Sequence, residues 1–128
     1  MKEFEDICEY LNSVDPIDAA IYMLTMLVPP GKVVSYSTIA KLLGIHPRRV
    51  AQSLRRNRIP IVIPCHRVVM KSGALGGYSR GGARVKKLLL RIEGVEIKDD
   101  RVPKEYFFCN TLLSMLGGRC GKRGFIDL

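Results

Sequence analysis

The sequence lacks several features that mark common classes of protein. It has no tryptophan, only two histidines, no C-x-x-C pair among its four cysteines and no run of about 18 apolar residues. The missing apolar run argues against a transmembrane helix, and the polar start Met-Lys-Glu-Phe-Glu-Asp is unlike a signal peptide. We therefore expect an intracellular protein with reduced cysteines, and a structural zinc site has little support.

Acidic residues are missing from the whole middle of the chain, between Ala19 and Ile92. These 74 residues contain 14 of the 21 lysines and arginines, whereas the flanks contain all 12 acids and seven bases. The middle therefore carries +14 and the flanks −5, which give the net charge of +9. Such asymmetry favours a face that binds a polyanion, with nucleic acid as the preferred partner. A basic surface that only maintains solubility is the alternative, and a membrane surface is less favoured because no suitable basic amphipathic helix is present.

Length and apolar content fit one small, mainly α-helical domain. With 128 residues, 47% of them apolar, the chain can form a single core and is too apolar for wholesale disorder. Helical spacing predicts a short acidic helix over residues 3–12 and a second helix that begins after Asp15 and stops at Pro29. The predicted inward face of the second helix consists of Ile17, Ile21, Leu24 and Val28.

Two further predicted helices outline a helix-turn-helix. Ser35 is a suitable cap for the first, which ends at Gly44, and Pro47 begins the second, which runs to about Arg56. Any small helical domain contains such pairs, so the outline alone has little specificity. The second helix is unusual because it carries four arginines and no acidic residue to pair with them. They are Arg48, Arg49, Arg55 and Arg56.

The remainder of the chain predicts a short extended segment, a loop and one more helix. Residues 58–69 are rich in β-branched side chains bounded by prolines, which predicts a buried extended segment. Residues 70–82 form a loop with five glycines, and a helix over 83–93 ends at Gly94. A further helix is expected over 104–116. The predicted inward face of the helix over 83–93 consists of Val85, Leu88, Leu89 and Ile92.

Cys65 is the candidate reactive residue of the extended segment. A thiol at the usual cysteine pKa is only slightly ionised near neutrality, so a nucleophilic cysteine needs a base to accept its proton. His66 can do this near pH 7, and because adjacent side chains rarely hydrogen-bond directly, we expect a bridging water. The alternative is that Cys65 is a buried, inert packing residue.

The motifs around Cys65 resemble those of one known family. The stretch Ile63-Pro64-Cys65-His66-Arg67-Val68-Val69 is similar to the active-site signature of the O6-alkylguanine-DNA alkyltransferases, or methylated-DNA–protein-cysteine methyltransferases. The resemblance runs from about Asp15 to Gly94 with several motifs in the same order. Besides the signature and the helix-turn-helix, they are Pro30-Gly31-Lys32-Val33-Val34-Ser35-Tyr36, Asn57, Gly77-Tyr78-Ser79 and Glu93-Gly94.

This resemblance implies a fold and a division of the chain. The fold is mainly α, a small winged-helix-like domain with a helix-turn-helix and a short extended segment that carries the active-site cysteine. Residues 15–95 then form the alkyltransferase and DNA-binding domain, 1–14 a short N-terminal extension, and 96–128 a C-terminal extension of unknown role.

The resemblance also implies an activity, the single-turnover transfer of an alkyl group from O6 of guanine in double-stranded DNA to Cys65. The damaged base has to be flipped out, because its O6 substituent is buried in the base stack. By resemblance, Cys65 is the thiolate nucleophile, His66 the base acting through water, and Glu93 the carboxylate that orients His66. Asn57 braces the turn between the DNA-reading helix and the site, and Tyr36 crowds the target phosphate and helps to protonate the guanine leaving group.

A second set of residues is implied to contact DNA or the flipped base. Arg48 corresponds to the arginine that fills the vacated base stack. Tyr78 and Pro60 form pocket walls, the Ser79 amide donates to O6, and Lys86 matches a lysine near the site. Ordinary packing or solvation is the alternative for each residue. The full set is Arg48, Arg49, Pro60, Val68, Tyr78, Ser79 and Lys86.

The sequence departs from the family pattern in three places. Family members usually carry an N-terminal α/β domain, whereas about 15 residues precede the shared region here. The loop after Tyr78 is one residue longer, which loosens the register at Lys86, and the tail from about Asp99 matches no family motif.

Rival functions are distinguished by the same residues. Alkyltransferase-like proteins bind damage without accepting the alkyl group and typically replace the cysteine, often by tryptophan, whereas this chain keeps Cys65 and has no tryptophan. A helix-turn-helix regulator would show sequence preference and ignore O6 lesions. A Cys-His hydrolase would not explain the arginine-rich helix. We expect a monomer of the cytoplasm, nucleoid or nucleus that binds duplex DNA and no membrane. The resemblance implies no cofactor and no metal, because alkylated guanine is itself the activated donor.

Overall fold

The computed structural model describes residues 2–78 and 80–108. Within them the chain forms five α-helices and a two-stranded parallel sheet, which confirms the mainly α prediction. No helix of this part is long and apolar enough to cross a membrane. The elements are α1 (Lys2–Ser13), α2 (Pro16–Met26), β1 (Val34–Ser35), α3 (Tyr36–Leu43), α4 (Pro47–Arg55), β2 (Val68–Val69) and α5 (Gly82–Ile92), with short 3₁₀ helices at Cys65–Arg67 and Lys104–Tyr106.

Helices α3 and α4 form the predicted helix-turn-helix, and local capping explains its limits. The Ser35 hydroxyl accepts a hydrogen bond from the Thr38 amide at 3.0 Å at the start of α3. Gly44 ends α3 with a φ of 71°, a left-handed conformation that glycine adopts without strain. His46 Nδ1 then caps α4 by accepting from the Arg48 amide at 3.0 Å.

The small sheet connects the helix-turn-helix to the segment that carries Cys65. Val34 pairs with Val68 and Ser35 with Val69 in parallel register. The residue that follows β1 is Tyr36, and the 3₁₀ helix Cys65–Arg67 immediately precedes β2. Two backbone pairings therefore fix the Cys65 segment beside the start of α3.

Two hydrophobic cores lie on opposite faces of this sheet. Because successive side chains of a strand point to opposite faces, Val68 packs into the first core and Val69 into the second. The first core is built mainly from α2, α3 and α4, and the second includes Leu90 of α5. Ile97 and Val102 also belong to the second core, so residues after 95 complete it. Truncating such buried aliphatic side chains to alanine costs about 2–5 kcal/mol each.

The predicted buried extended segment before Cys65 is wrong in its first half. Ile61 and Val62 are 58% and 47% exposed and lie in a turn, with Ile61 at a φ of 76°. Only Val68–Val69 forms a strand. The β-branched composition suggested a strand, but the turn takes these residues out of the core.

The predicted inward faces of two helices also need correction. In α5, Leu88 and Ile92 are 57% and 72% exposed, and the buried residues are Lys86 and Leu90. In α2, Ile17 is 42% exposed, and buried Val28 lies beyond the end of the helix. Of the helix expected over 104–116, only the 3₁₀ turn Lys104–Tyr106 is present as far as residue 108, and the remainder lies outside the described residues.

Candidate active site

A pocket of about 730 Å³ lies between the helix-turn-helix and the glycine-rich loop. Its walls come from α3, α4, the Cys65 segment and residues 70–78, so the pocket is open beside the arginine-rich helix. A volume of this order is typical of sites for small molecules. Its lining residues include Tyr36, Arg48, Arg55, Cys65, Gly76 and Tyr78.

Cys65 lies in the wall of this pocket and is held there by the turn that follows α4. Its side chain is largely buried, with 6% of the residue exposed. Asn57 Nδ2 lies 3.5 Å from the Cys65 Sγ and donates to the Ile63 carbonyl oxygen at 3.0 Å. Asn57 is itself 2% exposed, and its Oδ1 accepts from the Ile59 amide at 2.9 Å. Asn57 thus joins the turn after α4 to the segment that carries the cysteine.

His66, the residue after Cys65 in the chain, pairs with the half-buried Glu93. The His66 Nε2 lies 3.0 Å from the Glu93 Oε2, and His66 is fully buried. Burial lowers the pKa of His66, an effect that outweighs the hydrogen bond and charge of Glu93, so the imidazole is neutral at pH 7. Since a carboxylate only accepts, Nε2 carries the proton and Nδ1 carries the lone pair. Nδ1 is buried and has no hydrogen-bond partner among the described residues.

Arg67 holds the carboxylate of Glu93 in place. Its Nε and Nη2 donate to Glu93 Oε1 and Oε2 at 2.9 and 2.6 Å, a bidentate pair. Its Nη1 donates to the Val28 carbonyl oxygen at 2.8 Å. Burial alone would raise the pKa of Glu93, but the hydrogen bonds from Arg67 and His66 outweigh it and hold that pKa below its usual value. Glu93 is therefore ionised, oriented and able to fix the His66 ring.

Tyr36 and Lys86 form a second polar pair at the pocket. Lys86 Nζ donates to the Tyr36 hydroxyl and to the Gly77 carbonyl oxygen, both at 3.3 Å, and Lys86 is fully buried. Burial lowers the pKa of Lys86 to about 8 despite the opposing charge of Cys65, and burial together with Cys65 raises the pKa of Tyr36 to about 12. A Cβ on Gly76, whose φ is 74°, would lie 3.3 Å from the Tyr36 hydroxyl, so glycine permits this close approach of the loop.

The arginines of α4 divide between the pocket and helix α2. Arg48 is exposed at the start of the helix and lines the pocket. Arg49 instead donates to Asp18 of α2 at 2.7 Å, and Arg56 pairs with the same carboxylate at 3.0 Å. The premise that these arginines lack acidic partners is therefore wrong for Arg49 and Arg56, because the partner comes from a distant helix.

Other predicted contact residues have different places in the structure. Tyr78 lines the pocket, and burial raises its pKa. Val68 has a side chain that is fully buried in the first core, and its predicted contact with the substrate stays a prediction. Pro60 is partly buried and lies outside the described lining of the pocket. Ser79 lies outside the described residues.

Two contributors to the site had not been given a role from the sequence. Arg67 is predicted only as part of the signature. Its burial requires a carboxylate partner, which the structure supplies as Glu93. Arg80 Nη2 donates to the Asn57 carbonyl oxygen at 3.1 Å and ties the glycine-rich loop to the brace. The sequence feature that could have pointed to Arg80 is the extra residue in that loop. Among the described residues, no three His, Cys, Asp or Glu side chains gather as a metal would require.

Comparison with known proteins identifies relatives that share this part of the chain. A curated methylated-DNA–protein-cysteine methyltransferase of Saccharolobus solfataricus is 44% identical over 84 residues, which are 66% of this chain and 54% of that protein. The chain thus spans about half the length of the curated relatives that it matches. The crystal structure of the O6-methylguanine-DNA methyltransferase of Pyrococcus kodakaraensis is similar with 44% identity and a TM-score of 0.59, over 64% of this chain and 48% of that one.

A second similar structure matches nearly its whole length. Atl1 of S. pombe, in complex with damaged DNA containing O6-carboxymethylguanine, is 25% identical with a TM-score of 0.68, over 76% of this chain and 98% of that one. The family described as 6-O-methylguanine DNA methyltransferase, DNA binding domain, matches residues 16–95. This match confirms the resemblance that the motifs indicated. The chain therefore belongs to the 6-O-methylguanine DNA methyltransferase family.

Proposed function

We propose that this chain repairs DNA by moving an alkyl group from O6 of guanine to the Cys65 thiol, once per molecule. The observation that carries the proposal is a cysteine in the wall of a pocket of about 730 Å³, beside an asparagine brace and followed in the chain by a neutral histidine that pairs with an ionised carboxylate. The arginine-rich helix borders the same pocket. The catalytic work falls within residues 15–95, with 1–14 and 96–128 as extensions.

His66 and Glu93 together deprotonate the Cys65 thiol. The unprotonated Nδ1 of His66 accepts the thiol proton through a bridging water, while Nε2 donates to Glu93. Glu93 stabilises the imidazolium that forms, because its negative charge lies 3.0 Å away. The bond from Sγ to the alkyl carbon then forms as the bond from that carbon to O6 breaks, and the electron pair stays on the guanine.

The guanine that leaves has to gain a proton, and Tyr36 is the donor. Its hydroxyl oxygen already accepts from the Lys86 ammonium, so its own proton points elsewhere and is free for the substrate. Lys86, with its pKa lowered to about 8, can replace the proton that Tyr36 gives up. The thioether on Cys65 has no route back to the thiol, which limits each molecule to a single turnover.

Binding of duplex DNA and extrusion of the base follow from the position of α4. Flipping costs a few kcal/mol of lost stacking. Arg48, exposed at the pocket edge, enters the vacated stack and lowers this cost, while Tyr78 stacks on the extruded base. The damaged DNA in the S. pombe Atl1 complex supports an alkylated guanine as the ligand.

The test is the mass of the protein after incubation with a duplex that contains one O6-methylguanine. We expect a gain of one methyl group in the wild type, none in Cys65→Ala, and the full gain in Cys8→Ala, since Cys8 is exposed on α1. A gain that persists in Cys65→Ala contradicts the proposal. Tight binding of the lesion duplex without any gain in the wild type would show a protein that only marks damage.

A further inference from the structure

The three arginines of α4 and Arg56, the residue that ends it, lie on two different faces of the helix. Residues seven apart are two turns apart in an α-helix and therefore share a face. Arg48 and Arg55 form one such pair, and both line the pocket. Arg49 and Arg56 form the other, rotated by one residue toward α2. Neither Arg48 nor Arg55 forms an ion pair with any residue that the structure describes.

The second pair converges on one buried carboxylate. Asp18 is 6% exposed and accepts from Arg49 Nη1 at 2.7 Å. Arg56 Nη2 lies 3.0 Å from both carboxylate oxygens of Asp18. The Ser53 hydroxyl also donates to Asp18. These hydrogen bonds outweigh burial and hold the pKa of Asp18 below its usual value. Asp18 is therefore ionised and offsets one of the two arginine charges, and Asp15 lies 3.6 Å from Arg49 Nη2.

A separate contact fixes α4 against α2 at the same place. The buried Tyr22 hydroxyl, one turn after Asp18, donates to the Ser53 carbonyl oxygen at 2.6 Å. Contacts from Asp18 and Tyr22 thus hold both the side chains and the backbone of α4 on one face. Rotation of α4 about its own axis would break them together.

We propose that Asp18 is a positioning residue, which binds Arg49 and Arg56 and thereby turns Arg48 and Arg55 toward DNA. This inference rests on the proposed function, because it assumes that the pocket side of α4 faces the duplex. Arg48 and Arg55 then contact DNA, whereas Arg49 and Arg56 hold the helix.

The first test measures the affinity for an undamaged duplex as a function of salt. Each lost phosphate contact flattens the slope of log K against log salt by about 0.9. We expect this change in Arg55→Gln and a weaker affinity in Arg48→Gln. Arg49→Gln and Arg56→Gln each leave the other arginine on Asp18 and the contact of Tyr22 with Ser53, so α4 keeps its orientation, and we expect the wild-type slope with a lower Tm. A slope flattened as much in Arg49→Gln or Arg56→Gln as in Arg55→Gln overturns the inference.

The second test compares two substitutions that add the same charge. Asp18→Asn and Asp100→Asn each raise the net charge by one, and Asp100 forms only an exposed pair with Lys87. Charge alone predicts tighter DNA binding in both. We expect Asp18→Asn to bind several-fold more weakly and Asp100→Asn to bind at least as tightly as the wild type. Tighter binding by folded Asp18→Asn contradicts the positioning role.

The two proposals fail in different ways. The salt tests use undamaged DNA and need no alkyl transfer, so a protein that gains no methyl group still reports which arginines contact the duplex. If Asp18→Asn does not fold, the four arginine variants alone decide the inference. A wild type that binds no duplex at any salt concentration overturns both proposals.

Discussion

At the scale of single residues, the pair of His66 and Glu93 sets how transfer depends on pH. The pKa of His66 lies below the usual histidine value of about 6.5 because burial outweighs the pairing with Glu93. His66 therefore stays neutral, and able to accept a proton, as the pH falls through 6.5. We expect the single-turnover rate to fall only at lower pH, with an acid limb below 6.5 when measured from pH 8 to pH 5.

The substitution Glu93→Gln tests the same pair, because the direction in which it shifts the pKa of His66 follows from the structure. Glu93 raises the pKa of His66, so its loss shifts the acid limb to still lower pH. The rate at neutral pH falls by about 10²-fold or more, because the imidazolium loses its counter-charge. An acid limb that moves to higher pH in Glu93→Gln, or an unchanged rate, would contradict this role.

Tyr36 combines a structural and a chemical role that Tyr36→Phe separates. Loss of the hydroxyl leaves the buried Lys86 ammonium with Gly77 as its remaining acceptor, which costs about 1–3 kcal/mol in the free energy of unfolding. We expect the transfer rate to fall by about 10²-fold or more through loss of the proton donor. Tyr106 packs against the second core, so Tyr106→Phe is the matched control for both measurements. A wild-type rate in folded Tyr36→Phe refutes its role as donor.

At the scale of elements, the turn before Cys65 holds a strained residue. Ile61 is exposed and has a φ of 76°, which costs a β-branched residue about 1–2 kcal/mol. Asparagine adopts this conformation more readily, so Ile61→Asn raises the free energy of unfolding by about 1 kcal/mol in urea titrations. Val62→Asn, on an exposed neighbour without positive φ, gives no gain. Equal effects of the two substitutions would exclude backbone strain as the cause.

Sequence patterns correctly predicted the elements whose ends carry local capping residues. They failed where a contact distant in sequence decides which residues are buried. The helix-turn-helix followed from its caps, and Ser35, Gly44 and Pro47 stand where the structure begins and ends α3 and begins α4. The predicted inward face of α5 was wrong for Leu88 and Ile92, because helical periodicity assigns a lysine to the solvent side. Its inward face instead carries Lys86 and Leu90, four residues apart, because Lys86 finds buried acceptors at the pocket.

The candidate site shows the same division between local and distant information. Cys65, His66 and Glu93 were predicted through the family motif, and the structure pairs His66 with Glu93 and places Cys65 in the pocket wall. The partner of Arg49 was missed, because Asp18 lies 31 residues earlier and belongs to another helix. Periodicity within one helix carries no information about such a contact.

At the scale of the whole molecule, the two acids that border the acid-free segment form ion pairs with arginines inside it. Asp18 is the last acid before the segment and Glu93 the first after it. Asp18 pairs with Arg49 and Arg56, whereas Glu93 pairs with Arg67 and His66. These three arginines thus have acidic partners from the borders of the segment, whereas Arg48 and Arg55 form no ion pair among the described residues and keep their charge for a polyanion.

The same acids and His66 give the whole protein a stability that depends on pH. An unfolded histidine gains a proton near pH 6.5, whereas His66 stays neutral when folded, so acid favours unfolding. Stability then falls by up to about 1.4 kcal/mol per pH unit below 6.5. Glu93 and Asp18 have lowered pKa values, so their contribution is lost at still lower pH, below about 4.5. Urea titrations at pH 7.5, 6 and 5 measure this slope, and His66→Gln should flatten it. A wild-type stability that stays constant from pH 7.5 to 5 would show that His66 is not held neutral by the fold.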